Sequence, residues 1–331
     1  RNYGRFFGLA RAFIELNELI ERAFKEAKKE AAGVKGIRNK KKYLAKREGI
    51  KVKTVSNYLS KELRDYVKGF PSIDSMHPFY QQLIEAVIGV DELKKELSRI
   101  GRMSKIIVRM RIEAINSIYH AEKEGDIFRE SKKFFGRMFS LKKDLGKTVK
   151  KLNEVKRELK EFPAIKFEIP SLILAGYPNT GKTTLLKRLT GSKPKIAAYP
   201  FTTKKIELGY FTVRNREFQV IDTPGLLDRE EKKRNKAERK AGSALRELKG
   251  RVVFVLDPTM HCGFELEKQL NLLREIENKG IKVILVINKI DLVEEKEKRN
   301  VIELVGEREY CLGGEGKEKE LKECLLKFIL N

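Results

Sequence analysis

The chain has 331 residues, of which 41% are apolar and 36% charged, with 72 Lys and Arg against 47 Asp and Glu for a formal net charge of +25. That apolar share over that length supports two domains with cores and excludes long-range disorder. The longest apolar runs, Val252–Leu256 and Val283–Ile287, fall far short of the ~20 residues a membrane-spanning helix needs.

The excess positive charge is concentrated early: residues 1–170 hold 40 basic and 23 acidic side chains, residues 171–331 hold 32 and 24. A polyanion is the natural partner, and nucleic acid the commonest one. Apolar spacing predicts a helix over Asn17–Ala32, broken at Gly33 and Gly36. Next comes the densest basic stretch: Lys35, Arg38, Lys40, Lys41, Lys42, Lys46 and Arg47, with no acid from Ala31 to Arg47. These seven are the candidate RNA-binding residues, and binding there would be strongly salt-dependent. Helical rhythm returns over Thr54–Val67 and again from His77–Pro78 through Ile88. Asp91 is the expected N-cap of a helix running on to about Glu124, and a last long helix is expected over Ile127–Glu161. The first half therefore reads as an antiparallel all-α bundle.

Beyond Pro170 the rhythm changes. Short β-rich runs at Ser171–Ala175, Glu207–Val213, Glu217–Ile221, Val252–Leu256 and Lys282–Ile287 alternate with helical segments, the pattern of an α/β domain with a mostly parallel sheet. The expected class is thus α+β with two domains, the boundary lying near Ala164–Ile169. Cys262, Cys311 and Cys324 are too few and too scattered for a disulfide framework or a zinc site, and fit a reducing compartment. Many Lys and Glu, four Gln and no Trp lean toward a thermophile.

Gly176-Tyr177-Pro178-Asn179-Thr180-Gly181-Lys182-Thr183 matches G-x-x-x-x-G-K-[ST], between an apolar strand and a helix opening at Thr184. Glycines there let backbone N–H groups turn inward as an anion nest, Lys182 reaches the β- and γ-phosphates, and the Thr183 hydroxyl binds Mg²⁺. Asn288-Lys289-Ile290-Asp291 follows a buried-type strand and matches N-K-x-D. Asp291 can accept two hydrogen bonds from guanine that adenine cannot supply, so GTP is favoured over ATP. Asn288 is expected to brace the loop and the Lys289 stem to cover the base. Asp222-Thr-Pro-Gly225 ends another strand. Asp222 would hold Mg²⁺ through water, and the Gly225 N–H would contact the γ-phosphate only in the GTP state. Between these motifs lies Tyr199-Pro-Phe201-Thr202-Thr203, one of whose threonines should close over the metal; spacing does not choose between them. After Gly225 stand Leu226 and Leu227, where many GTPases place a water-orienting Gln, so hydrolysis needs another device or a partner.

These motifs in this order resemble the Obg-related branch of translation-factor GTPases. Leu226-Leu227-Asp228, Asp257-Pro-Thr-Met-His261-Cys262-Gly263-Phe264, Thr54-Val-Ser-Asn57 and His77-Pro-Phe79-Tyr80 are more closely similar to the nucleolar GTP-binding protein 1 family, including its archaeal members. The resemblance implies a basic helical domain over 1–165 that binds rRNA and an Obg-type GTPase domain over 166–331. It implies GTP hydrolysis in large-subunit assembly, with precursor rRNA and ribosomal proteins as partners, no membrane, a monomer off the ribosome, and a cytoplasmic site, nucleolar if the source is a eukaryote. The family pattern assigns Mg²⁺ to Thr183 and Thr203, makes Lys182, Thr203 and Gly225 the catalytic group, and matches Asn179 to a K⁺-binding asparagine. An ordinary turn role for Asn179 weighs evenly against that.

Two departures matter. The last guanine-contact motif, Ser-Ala-Leu in the family, reads Tyr310-Cys311-Leu312 before Gly313-Gly314; the Cys311 N–H is the expected contact to guanine O6, without the serine's support. Eukaryotic members extend well past the position of Asn331, so contacts made by such a tail are expected from elsewhere. His261 and Cys262 are expected to pack a loop, and Glu265 and Glu267 to cap the next helix. The basic residues Arg229, Lys232, Lys233, Arg234, Lys236, Arg239 and Lys240 read equally as a solvated helix face or an rRNA contact. Two alternatives stand beside the assembly GTPase: an rRNA-bound placeholder with a mainly structural GTP, and a stress-signalling GTPase.

Overall fold

The computed structural model describes residues 15–191, 194–197, 205–222, 247–248 and 250–330. They form two compact units: residues 15–75 with 88–160, and residues 76–87 with 161 onward.

The first unit is helical. Helix α1 (Leu16–Ala32) buries Leu19, Ala23, Ala27 and Ala31, one side chain per turn. Helix α2 (Lys40–Lys68) opens on Asn39, whose side chain accepts from the Lys42 N–H at 3.0 Å. The sequence signals a helix only from Thr54, but α2 runs unbroken through the basic segment and Gly49. Its inner face, Val52, Val55, Leu59 and Leu63, is buried throughout, and at Gly49 a Cβ would lie 3.2 Å from the Tyr119 ring. Close packing there offsets the ~1 kcal/mol that a helical glycine costs. Helix α4 (Val90–His120) starts before the expected cap: Gly89 is the N-cap, at φ +86°, and Asp91 lies in the first turn, where the positive end of the helix dipole stabilises its negative charge. Helix α5 (Glu124–Lys160) is 37 residues long. Polar contacts lie inside this unit. Glu48, 4% exposed, accepts from Lys51 at 2.7 Å and Ser131 at 2.9 Å, and the Tyr66 hydroxyl donates to Asn153 at 2.9 Å.

The second unit holds helix α3 (Pro78–Val87) and a seven-stranded sheet of order β2-β3-β4-β1-β5-β6-β7. The strands are β1 (Ser171–Ala175), β2 (Lys195–Ala197), β3 (Ile206–Val213), β4 (Arg216–Asp222), β5 (Gly250–Leu256), β6 (Val283–Ile287) and β7 (Tyr310–Leu312). The pairs β4-β1-β5-β6-β7 are parallel, while β3 runs antiparallel to both neighbours. Helices α6 (Lys182–Thr190), α7 (Leu266–Glu277), α8 (Glu295–Val305) and α9 (Glu318–Leu330) complete it, nine helices in all among the described residues. Residues 172–175 of β1 and 252–256 of β5 are continuously apolar and buried, as strands covered on both faces are. Strands β2 and β7, three residues each, carry too short a pattern to be read from sequence.

Helix α3 belongs with this sheet through local chemistry. The Tyr80 hydroxyl donates to the Pro163 carbonyl at 2.9 Å and accepts from the Ile165 N–H at 3.2 Å. His77 stacks on Phe167 with ring centroids 3.7 Å apart. Phe79, Tyr80, Leu83 and Ile84 are fully buried. No helix among the described residues is long and apolar enough to cross a membrane.

Candidate guanine-nucleotide site

The central strand β1 delivers the phosphate loop. Ligands in open α/β sheets bind beyond the carboxyl ends of the strands, where successive connections leave in opposite directions. Here the chain leaves β1 toward β4 on one side and continues from β5 on the other. Two glycines of the loop are obligatory on geometry. Gly176 has φ +128°, and a Cβ would sit 2.5 Å from the Val255 carbonyl oxygen; Gly181 has φ +95°, and a Cβ would sit 2.4 Å from Asn288 Nδ2. Thr180 steadies the turn by donating to the Tyr177 carbonyl at 2.9 Å.

Lys182 opens α6 and is 7% exposed. Its Nζ donates to the carbonyls of Gly176 and Tyr177, each at 2.7 Å, so the ammonium is held inside the curl where phosphate charge would gather. Thr183 donates to Asp222 Oδ2 at 2.6 Å. Two residues 39 apart in sequence, both expected at Mg²⁺, thus converge, and Asp222 is fully buried at the end of β4. Hard oxygen donors of this kind, a hydroxyl and a carboxylate, fit Mg²⁺. Pro178, Asn179, Gly181, Lys182, Thr183, Thr184, Asp222 and Lys289 line a common cavity of about 670 Å³.

On the base side, Asn288 leaves β6 and donates through Nδ2 to the Thr180 carbonyl at 3.0 Å, bracing the loop as expected. Lys289, at φ +57°, donates to the Asn179 carbonyl at 3.0 Å and to Asp257 Oδ2 at 2.6 Å. Asp291 is exposed, and its Oδ1 accepts from the Glu315 N–H at 3.1 Å. The residues beside it are Gly313 and Gly314: the Gly313 carbonyl accepts from the Ile290 N–H at 3.1 Å, and a Cβ on Gly314 would lie 2.4 Å from Asp291 Oδ1. Cys311 is placed differently from its expected role. It is 1% exposed in β7, paired in register with Val286, and its sulfur is bonded to Cys324. The cysteines, expected to be free, therefore include one bridge; only Cys262 is free. Tyr310 and Leu312 flank Cys311 in the same ladder.

Thr203, Thr202, Phe201 and Gly225, with the basic residues from Arg229 to Lys240, lie outside the described residues. Asn179, exposed at φ +64°, occupies a left-handed turn position that asparagine tolerates. Glu265 stands at the N-cap of α7 but makes no side-chain cap bond; Glu267 lies in the first turn. Of the seven basic candidates, Lys35, Arg38, Lys40, Lys41, Lys42 and Lys46 are exposed, whereas Arg47 is half-buried against Glu48 at 3.4 Å. Lys40 also pairs with Glu124 at 2.9 Å.

Sequence reading missed Lys205 and Glu207, which also line the cavity. Glu207 faces Asp222 across the β3–β4 ladder. Burial and then the Asp222 carboxylate push its carboxyl above the ordinary range. The signal was available only through the strand pairing.

This strand–loop–helix cradle, its carboxylate-bound threonine and the N-K-x-D loop locked to it define a P-loop GTPase unit, a guanine-nucleotide binder. Comparison with known proteins narrows the class. Residues 13–166 match the model of the NOG1 N-terminal helical domain and residues 171–289 that of a 50S ribosome-binding GTPase. An uncharacterized protein from Methanocaldococcus jannaschii is 35% identical over 74% of this chain and 69% of its own length. Nucleolar GTP-binding protein 1 of Encephalitozoon cuniculi is 30% identical over 73% of this chain, and that of Saccharomyces cerevisiae 29% over 78%. The chain belongs to the nucleolar GTP-binding protein 1 family. It spans 46% and 41% of the lengths of those two eukaryotic relatives. Among solved structures, a nucleolar GTP-binding protein 1 from Plasmodium falciparum is 26% identical, with a TM-score of 0.42 over 51% of this chain and 92% of its own. The cytosolic domain of the T. maritima FeoB iron transporter is 29% identical, with a TM-score of 0.41 over 49% of this chain and 64% of its own.

Proposed function

We propose that this chain is a GTP-hydrolysing switch in assembly of the large ribosomal subunit, with its basic helical unit contacting rRNA. The observation that carries the catalytic half is the convergence of Lys182, Thr183 and Asp222 on one cavity whose base side is locked by Asn288 and Lys289. Thr183 and Asp222, with Thr203, would hold Mg²⁺, which neutralises phosphate charge during transfer. Asn179 would hold K⁺, which supplies the positive charge an arginine finger gives elsewhere. Lys182 binds the β- and γ-phosphates, and Asp291 reads the guanine edge. Guanine O6 is met from Gly314, beside Asp291, because Cys311 is paired in β7 and the Gly313 N–H donates to the Ile287 carbonyl at 2.8 Å. With Leu226 where a water-orienting Gln would stand, intrinsic turnover is slow and a partner or K⁺ accelerates it.

The helical half supports the RNA reading through charge. Lys40, Lys41 and Lys42 occupy the first turn of α2, which holds no acidic residue. Cations at a helix N-terminus oppose its dipole, and an RNA phosphate would relieve that opposition. The proposed site of action is the cytoplasm, or the nucleolus of a eukaryote. Co-sedimentation with large subunits or their precursors tests the switch. The protein is loaded with GDP or a non-hydrolysable GTP analogue, in K⁺ buffer at moderate salt. Binding with the analogue and release with GDP is expected; equal binding in both states would favour the placeholder reading that Leu226 also allows. Lys182→Ala discriminates further, since a placeholder tolerates it in cells and a switch does not.

A further inference from the structure

The segment Asp257-Pro-Thr-Met-His-Cys-Gly-Phe264 has no part in the site so far except one contact. The geometry points to Asp257 as a positioning residue: it fixes Lys289 against the phosphate loop and so preorganises the wall on which the guanine ring lies. This rests on the guanine-nucleotide reading and extends it to a loop outside the motifs that contact nucleotide.

Asp257 follows β5 directly and is fully buried. Its carboxylate is saturated by four donors. Oδ1 accepts from the Thr259 N–H at 3.1 Å and the Thr259 hydroxyl at 2.6 Å; Oδ2 accepts from the Cys262 N–H at 3.0 Å and Lys289 Nζ at 2.6 Å. Burial alone would push this carboxyl up, but the bonds from Lys289 and Thr259 hold it below the ordinary aspartate range. Three of the donors belong to the loop's own turn. The fourth is the side chain of the N-K-x-D lysine, 32 residues away, which also lines the nucleotide cavity.

A buried carboxylate facing only its own turn would be matched more cheaply by neutral groups, because desolvating a charge is costly unless it is paired. Here the pairing partner is Lys289, one of the most rotamer-rich side chains, held at two points, by Asp257 and by the Asn179 carbonyl. Ordering such a side chain before the ligand arrives removes an entropic cost from binding. The loop is itself fixed from the other end. Gln269 donates to the Asp257 carbonyl at 3.0 Å and the Phe264 carbonyl at 2.9 Å. Phe264 stacks on Tyr177 of the phosphate loop, with ring centroids 4.0 Å apart.

The test is a double-mutant cycle on the full chain, read by fluorescent GDP titration: wild type, Asp257→Asn, Lys289→Ala and the double variant. Asp257→Asn should weaken GDP by about tenfold, the loss of one charge-assisted bond, yet cost less than about twofold once Lys289 is already alanine. Wild-type affinity for Asp257→Asn, or full additivity in the double variant, would overturn the proposal, since a merely structural role is indifferent to Lys289. Should Asp257→Asn show no cooperative melting, Thr259→Ala takes its place in the cycle, with the same expected non-additivity and the same refuting result. Failure of the wild type to prefer GDP over ADP would instead sink the guanine reading itself, and the proposal with it.

Discussion

The bridge between Cys311 and Cys324 offers the sharpest quantitative check on the second unit. It closes a loop with a sequence separation of 13 and ties β7 to α9, the helix whose Leu321, Leu325 and Leu326 complete the core over β1 and β6. Reducing it restores chain freedom to the unfolded ensemble. A loop of that length corresponds to about 3 kcal/mol at 25 °C in the chain-entropy model. For a unit of this size, each kcal/mol moves the melting midpoint by roughly 2–4 °C, so removal should lower it by roughly 6–12 °C. The assay is thermal unfolding followed with and without a phosphine reductant, together with Cys324→Ser. Reductant and substitution should give the same shift, and reductant should add nothing to the variant. The backbone of Cys311 keeps its ladder position beside Val286 independently of the sulfur, so GDP affinity should be largely retained. A midpoint insensitive to both treatments would refute the assignment of the bridge as a stabilising tie, and a shift under reductant that persists in Cys324→Ser would refute its attribution to these sulfurs.

Three further outcomes are expected. Asn288→Asp replaces the donor that meets the Thr180 carbonyl by a second acceptor at the same place; an unsatisfied buried carbonyl costs about 1–3 kcal/mol. The variant should melt lower than wild type and bind GDP more weakly than Asn288→Ala, and parity among the three would remove Asn288 from the bracing role. Glu48 sits in a pocket where burial raises its carboxyl but bonds from Lys51 and Ser131 hold the net value below the ordinary one. A depressed folded pKa contributes stability above the unfolded value of 4.5 and loses it as pH falls through the folded one. Melting of the helical unit should therefore steepen in its pH dependence below about 4.5, and Glu48→Gln should flatten that segment while lowering the midpoint at neutral pH. Charge reversal at Lys41 and Lys42 should weaken RNA binding and reduce the slope of log affinity against log salt by about 0.7–0.9 per lost phosphate contact; an unchanged slope would place the RNA surface elsewhere.

The helices and central strands were legible because their periods are long or their runs continuous. Helix α5 repeats its apolar face over ten turns, and β1 and β5 are apolar on both faces. The misreadings have local causes. The segment Lys40–Lys53 is rich in charge and contains Gly49, so propensity alone gives no helix, yet packing against Tyr119 carries α2 straight through. At Gly89 a positive φ starts α4 before the aspartate that sequence rules would choose. Strand β7 is short and its anchoring is covalent. Neither spacing nor composition marks Cys311 and Cys324 as partners, because their proximity depends on α9 folding back beside β7.

The phosphate-side residues were readable because their chemistry is carried by contiguous motifs: backbone amides, one lysine and one threonine in a single turn. The base side is discontinuous, and contiguity there misleads. The motif placed the guanine contact at Cys311, which the structure pairs with Val286 in β7, while Gly314 is the residue packed against Asp291. Glu207 and Asp257 escaped a role for the same reason. Glu207 meets Asp222 only through antiparallel register, and Asp257 meets Lys289 only because β5 and β6 are neighbours with Leu256 opposite Ile287. That register puts the residue after each strand at the same level, so a carboxylate following β5 and a lysine two places after β6 close on each other at 2.6 Å. The Asp257–Lys289 contact is therefore a property of the β5–β6 pair, and a change that slips this register by one residue would turn Asp257 to the opposite face and release Lys289 even with every motif residue intact.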